Sequence, residues 1–273
     1  MTVPASVHTP PEKRTLGYWW RHFWWNFLGC WPLVFLPLAG VLGSFFPVIF
    51  SPDNMGKRVA TFWLRRWAKG LLKGFGIRVY RRGVENIDPA TPYIVCANHR
   101  SHLDVPVLAH SLPLTPVAVH KKSLEYVPLI GQALILGRSV GIDRSDRADA
   151  RRRMATVAHR MATGRSVVIF PEGTRSRGPT LDPFKKGAVM VAIEQQCKIL
   201  PVTLVGTDVL YPPGNLMIHR GDALVIIHPP IDTRGYTPGQ RDEVLAKVRA
   251  VIEGSFYPGA LHMKDVEGAE RVL

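Results

Sequence analysis

The chain has 273 residues, 46% of them apolar and 21% charged, which excludes a disordered or low-complexity protein and permits a core without disulfides. Its three cysteines, Cys30, Cys96 and Cys197, are odd in number and widely spaced, which argues against a disulfide framework or a cysteine-ligated zinc site. Lys and Arg number 35 against 21 Asp and Glu, a net +14, so the surface attracts anions: nucleic acid, anionic lipid or phosphorylated substrates.

The first signal along the chain is aromatic. Trp19, Trp20, Trp24, Trp25 and Trp31 cluster ahead of and within a run from Phe23 to Phe50 that holds no charged residue. Tryptophan favours the membrane–water boundary, and about 20 apolar residues span a bilayer. Pro32, Pro37 and Pro47 break a straight helix, and basic residues flank both ends (Lys13, Arg14 and Arg21 before; Lys57, Arg58, Arg65 and Arg66 after). A hairpin or re-entrant insertion with both ends on the cytoplasmic side fits better than one span, and the run is too long for the core of a cleavable signal peptide. From Thr61 to Phe75, apolar residues at helical spacing alternate with Arg65, Arg66, Lys69 and Lys73. This pattern predicts a basic amphipathic helix, lying either on an anionic leaflet or against the domain that follows.

Beyond residue 75, strand and helix signals alternate. Tyr93–Ala97, Ser166–Phe170, Leu200–Val205 and Ala223–His228 read as strands; Ala148–Thr163, Lys185–Gln196 and Gln240–Glu253 read as helices. That alternation predicts an α/β fold with a largely parallel sheet flanked by helices, preceded by the N-terminal membrane-associated helical segment. The expected division is residues 1–75 for that segment, 76–256 for the α/β domain and 257–273 for a patternless, loosely ordered tail.

Two polar loops follow buried-type strands: Asn98-His99-Arg100-Ser101-His102-Leu103-Asp104 after the first, and Pro171-Glu172-Gly173-Thr174-Arg175-Ser176 after the second. Ligands of parallel sheets bind beyond the carboxyl ends of the strands, so both loops open onto one crevice. His99 and Asp104 are five residues apart and cannot share a helical face. They meet if His99 stays on the turn and Asp104 starts the next helix. A carboxylate there fixes the imidazole tautomer and leaves the other nitrogen as a base for a substrate hydroxyl. Spacing alone also admits a structural histidine with a helix-capping aspartate, or a metal site using His99, His102 and Asp104.

The motifs together resemble the glycerolipid acyltransferase family, and within it the bacterial 1-acyl-glycerol-3-phosphate acyltransferases. The resemblance rests on His99-x4-Asp104 followed by Phe170–Ser176 (FPEGTRS), with Lys121–Gly131 (KKSLEYVPLIG), Gly141–Arg144 (GIDR), Phe184–Gly187 (FKKG) and Ile199–Val202 (ILPV) in the family's order, over residues 75–232. It departs at Gly141, where the family commonly has a bulky apolar residue, and at Ser123, where Glu is common. The resemblance implies transfer of an acyl chain from acyl-coenzyme A or acyl carrier protein to the sn-2 hydroxyl of lysophosphatidic acid. It implies His99 and Asp104 as the catalytic pair, and Arg144, Glu172, Gly173, Thr174 and Arg175 as substrate-binding residues. Backbone N–H groups near Ser101, Gly173 and Thr174 are candidate oxyanion donors, whereas Lys121, Lys185 and Lys186 read as exposed surface lysines. No metal and no cofactor beyond the thioester co-substrate is expected. The expected partners are lysophosphatidic acid, the acyl thioester, an anionic membrane surface and acyl carrier protein, with no nucleic acid, at the cytoplasmic face of the inner membrane. Glycerol-3-phosphate or another lysolipid such as lyso-ornithine lipid remain as alternative acceptors, and a metal-dependent lipid hydrolase is the competing reaction class.

Overall fold

The computed structural model describes residues 20, 24, 53–114, 116–128, 130–143, 146–215, 217–261 and 268–273. The apolar run 23–50 therefore lies outside the described residues except for Trp24, which meets Trp20 edge-to-face at 5.8 Å, both rings exposed. Among the described residues no helix is long and apolar enough to cross a membrane.

The elements run α1 (Asp53–Gly74), β1 (Ile77–Arg82), β2 (Tyr93–Ala97), α2 (Asp104–Ser111), β3 (Val117–Lys121), α3 (Ile130–Leu136), β4 (Val140–Ile142), α4 (Arg147–Ala162), β5 (Val167–Ile169), α5 (Gly187–Glu194), β6 (Lys198–Val205), α6 (Thr207–Leu210), β7 (Gly221–Ile227), β8 (Ile231–Asp232), α7 (Arg241–Glu253) and β9 (Glu270–Arg271). One sheet has the order β4-β3-β5-β2-β6-β7-β1-β9, with β8 on β6. From β4 to β6 every pairing is parallel. Beyond β6 the sheet becomes mixed. β7 returns antiparallel to β6, the two joined by the short α6 and a Pro-Pro-Gly turn. β1 is parallel to β7, and β9 antiparallel to β1. The expected parallel sheet thus describes the half that carries the two polar loops.

The run YIVCA is apolar at every position because both faces of β2 are covered. Tyr93, Val95 and Ala97 pack with Leu71, Leu72 and Phe75 of α1 and Val107 and Leu108 of α2. Ile94 and Cys96 pack on the opposite face with Val157 of α4, Val189 and Ile193 of α5, and Val244 and Val248 of α7. Pro201 stands inside buried β6, an unusual place for a residue without an N–H. Ile199 pairs with Ile231 but Val202 with Ile227, so the β7–β8 side carries one extra residue opposite Pro201. That bulge removes the need for a donor, and the Pro201 carbonyl still accepts from His228 N–H. The expected loose tail is instead used in part. Glu270–Arg271 extends the sheet, and Val272 and Leu273 pack on the core.

Candidate active site

The crevice begins with Asn98, the first residue past β2. Its side chain copies a strand backbone, donating Nδ2–H to Leu204 O at 2.9 Å and accepting Leu204 N–H at 2.7 Å. The fully buried amide thereby fixes where the chain leaves the sheet. His99 follows with its imidazole 15% exposed, at the rim of the fold. Asp104 opens α2 and is completely buried.

The two side chains meet: His99 Nδ1 lies 2.7 Å from Asp104 Oδ2. The same oxygen accepts the backbone N–H groups of Arg100 (2.7 Å) and Ser101 (2.8 Å). An oxygen taking three donors acts as an acceptor only, so Nδ1 carries the hydrogen and Nε2 presents a lone pair. The His99 ring stacks on Phe170, centroids 4.1 Å apart and planes 19° from parallel. A hydrogen bond at one nitrogen and a stacked face leave the imidazole little freedom to turn.

The second loop follows β5, the neighbour of β2 in the sheet, and is clasped to the first. Glu172, 3% exposed, accepts His99 N–H at 2.6 Å on one oxygen and Asp182 N–H at 3.1 Å on the other. Burial pushes its carboxyl above the ordinary range, and these hydrogen bonds pull the other way. Both oxygens are thus engaged with backbone, which gives Glu172 a structural task where the sequence suggested contact with substrate. Ser176 N–H donates to His99 O at 3.0 Å, closing the clasp.

Arg100, to which the sequence assigned no role, is the hub beneath both loops. It is 5% exposed, donates to Ser176 Oγ (3.2 Å) and to the Gly178 and Thr180 carbonyls, meets Asp208 Oδ2 at 3.4 Å, and lies 5.3 Å from the Phe256 ring centroid. No motif spacing reports these partners, because they come from three separate segments.

The remaining candidates sort as follows. Gly173 has φ +76°, and a Cβ there would lie 2.6 Å from Lys185 Nζ. Lys185 therefore stretches over the Glu-Gly-Thr turn, while Lys186 is held by Asp242 at the surface (2.8 Å). Thr174 is exposed and Arg175 half-buried. Burial lowers the pKa of His102, and the Arg175 charge lowers it further, which puts that cation beside the crevice. Two candidate oxyanion donors are already committed: Ser101 N–H to Asp104, and Gly173 N–H to Phe170 O. Arg144 lies outside the described residues. Among the described residues no group of three His, Cys, Asp or Glu side chains could share a metal ion.

The departure at Gly141 has a steric cause. A Cβ there would fall 2.1 Å from Glu125 Oε1 and 3.2 Å from His120 Nε2, and those two atoms are themselves 3.3 Å apart. The volume that a bulky side chain would fill at position 141 is taken by the Glu125 carboxylate.

Comparison with known proteins agrees with this fold. The Acyltransferase family model matches residues 78–205. The 1-acyl-sn-glycerol-3-phosphate acyltransferases of Salmonella typhimurium and Escherichia coli are each 35% identical over 222 residues, 81% of this chain and 88% of theirs. The enzyme of that name from Saccharomyces cerevisiae is 34% identical over 80% of this chain and 73% of its own. The crystal structure of the 1-acyl-sn-glycerophosphate (LPA) acyltransferase from Thermotoga maritima superposes with a TM-score of 0.72 over 86% of this chain and 94% of that one; at 23% identity it speaks for the fold. With this identity sustained across most of both chains, the protein belongs to the 1-acyl-sn-glycerol-3-phosphate acyltransferase family.

Proposed function

We propose that this chain transfers a fatty acyl group from acyl-coenzyme A or acyl carrier protein to the sn-2 hydroxyl of 1-acyl-glycerol-3-phosphate, forming phosphatidic acid. The observation that carries the reading is the His99–Asp104 pair, with Nδ1 tied to a buried carboxylate and Nε2 left as a base at the crevice rim. In this mechanism Nε2 accepts the hydroxyl proton as the acceptor oxygen attacks the thioester carbonyl. Asp104 stabilises the imidazolium. Collapse of the tetrahedral intermediate breaks the C–S bond, and the proton passes from His99 to the departing thiolate. The new C–O bond and the free thiol are the products.

Direct transfer fits the state of the two described cysteines. Burial pushes Cys96 up to about 12 and Cys197 up to about 11, so neither is a thiolate nucleophile at neutral pH. Thr174 N–H makes no hydrogen bond among the described residues and is the oxyanion donor in this scheme. Arg175, Arg144 and Lys185 supply cations for the phosphates of acceptor and donor. Glu172 and Gly173 shape the turn that presents Arg175. No cofactor beyond the thioester takes part.

We place the enzyme at the cytoplasmic face of the cell membrane, attached through residues 1–75. Its support is the charge-free run with clustered tryptophans and a net +14 that favours an anionic leaflet. The test supplies purified full chain with acyl-coenzyme A and one acceptor at a time: 1-acyl-glycerol-3-phosphate, glycerol-3-phosphate or lyso-ornithine lipid. Phosphatidic acid should form with kcat/KM at least ten-fold above either competitor. A higher value for another acceptor overturns the substrate assignment.

A further inference from the structure

At the far end of α2 from Asp104, α1 and β1 enclose a second cleft with a cavity of about 550 Å³. Its walls carry four cations, Arg65, Arg66, Lys69 and Arg81, with His110 and the exposed ring of Phe62. α2 is eight residues long, so the cleft lies about 12 Å along the helix from the catalytic carboxylate.

The cations are poorly compensated. Arg81 meets Glu270 at 2.6 Å and donates to Ser111 O at 2.8 Å; Arg65 donates to Leu112 O (3.0 Å) and Leu114 O (3.2 Å). These bonds cap the C-terminal carbonyls of α2, which favour positive charge. Arg66 and Lys69 form no ion pair among the described residues and are exposed. Among the described residues the four cations thus face one carboxylate, and each bears on the next. Burial and then the Arg81 charge lower the Arg65 pKa; burial and then the charges of Lys69, Arg65 and Arg81 lower that of His110. A cleft that crowds like charges is relieved by an anion.

We propose that this cleft is a second, non-catalytic lipid site that holds the phosphate of an anionic membrane lipid. The amphipathic wall argues for a lipid over a free anion, since Phe62, Leu112 and Pro113 stand beside the cations. So does position, because α1 starts three residues after the charge-free run ends at Phe50. This choice of lipid rests on the membrane attachment proposed above, but not on the acyl transfer.

The test uses full-length protein in neutral detergent, without acyl donor, titrated calorimetrically with dihexanoyl-phosphatidylglycerol, dihexanoyl-phosphatidylcholine, glycerol-1-phosphate or inorganic phosphate. Saturable binding of the phosphatidylglycerol probe is expected, at least ten-fold tighter than the other three. Arg66→Gln with Lys69→Gln should weaken it at least ten-fold, Lys69→Arg should keep it, and His99→Ala should leave it unchanged. Turnover of the glutamine double variant on a soluble short-chain acceptor should match wild type. Equal affinity in the double variant, or equal affinity for phosphatidylcholine, overturns the site. Equal affinity for inorganic phosphate overturns its assignment to lipid. A binding loss in His99→Ala places the probe in the catalytic crevice and overturns the proposal as well.

Discussion

Asp104 Oδ2 receives one imidazole and two backbone N–H groups, while its buried Oδ1 has no hydrogen-bond partner among the described residues. The carboxylate is therefore both an orienter of His99 and the nucleus of its own loop. Asp104→Asn replaces one oxygen by a donor that three N–H groups repel or that has no acceptor in place of Oδ1. A fall in kcat of about 10²–10⁴-fold is expected, measured by steady-state thiol release. Glu172 calls for a different outcome. Glu172→Ala strips the acceptor from two backbone N–H groups, each costing about 1–3 kcal/mol if buried. Denaturant unfolding should show a loss of about 2–4 kcal/mol, and kcat should fall with it because His99 loses its anchor. At this scale the sequence was legible only for part of the site. His99 and Asp104 stood out because their residue types and spacing carry chemistry. Phe170, Arg100 and the His99 partner of Glu172 did not, because a stack, a hub and a clasp join residues about 70 or more positions apart.

Elements long and apolar enough to be covered on both faces were legible in advance. The runs around β2, β5, β6 and β7 read as strands, and α4, α5 and α7 lie within a residue or two of their periodic patterns. β1, β3 and β4 were missed, as were the two-residue β8 and β9. β1 is buried only at Ile77 and Val79, and Val117–Lys121 only at Val117 and His120, so no continuous apolar run announces either. The antiparallel turn of the sheet after β6 was invisible for another reason: pairing direction is not written in a strand's composition. The β3–β4 pair also explains the glycine in its motif. Gly141→Leu should drive the new side chain into Glu125 Oε1 and lower Tm by several degrees. Adding Glu125→Leu should recover most of that loss by removing the carboxylate. Calorimetry on the two single variants and the double variant measures the coupling, and additive losses would show that Glu125 does not occupy the space at position 141.

For the whole molecule, the pH dependence of stability follows from three histidines. His102, His110 and His228 all have pKa values lowered, first by burial. A lowered histidine value means that the unfolded chain binds more protons, so stability is fully present above the unfolded value near 6.5 and is lost as pH falls through the folded values. Glu172 and Asp208, raised by burial, act oppositely, removing stability as pH rises from the ordinary carboxyl range through their folded values. Tm should therefore fall between pH 7.5 and pH 5.5, and an unchanged or rising Tm would refute the histidine argument. The N-terminal run was legible as a membrane signal but lies outside the described residues. Deleting residues 1–52 should yield a chain that keeps its sheet and loses most partitioning into anionic vesicles, read by flotation. Acyl transfer by this enzyme runs through one base at the crevice rim. Its most direct measurement is thiol release by full-length His99→Ala with acyl-coenzyme A and 1-acyl-glycerol-3-phosphate, alongside its thermal unfolding. A rate at least 10²-fold below wild type with an unchanged Tm is the expected result; turnover within two-fold of wild type contradicts the account.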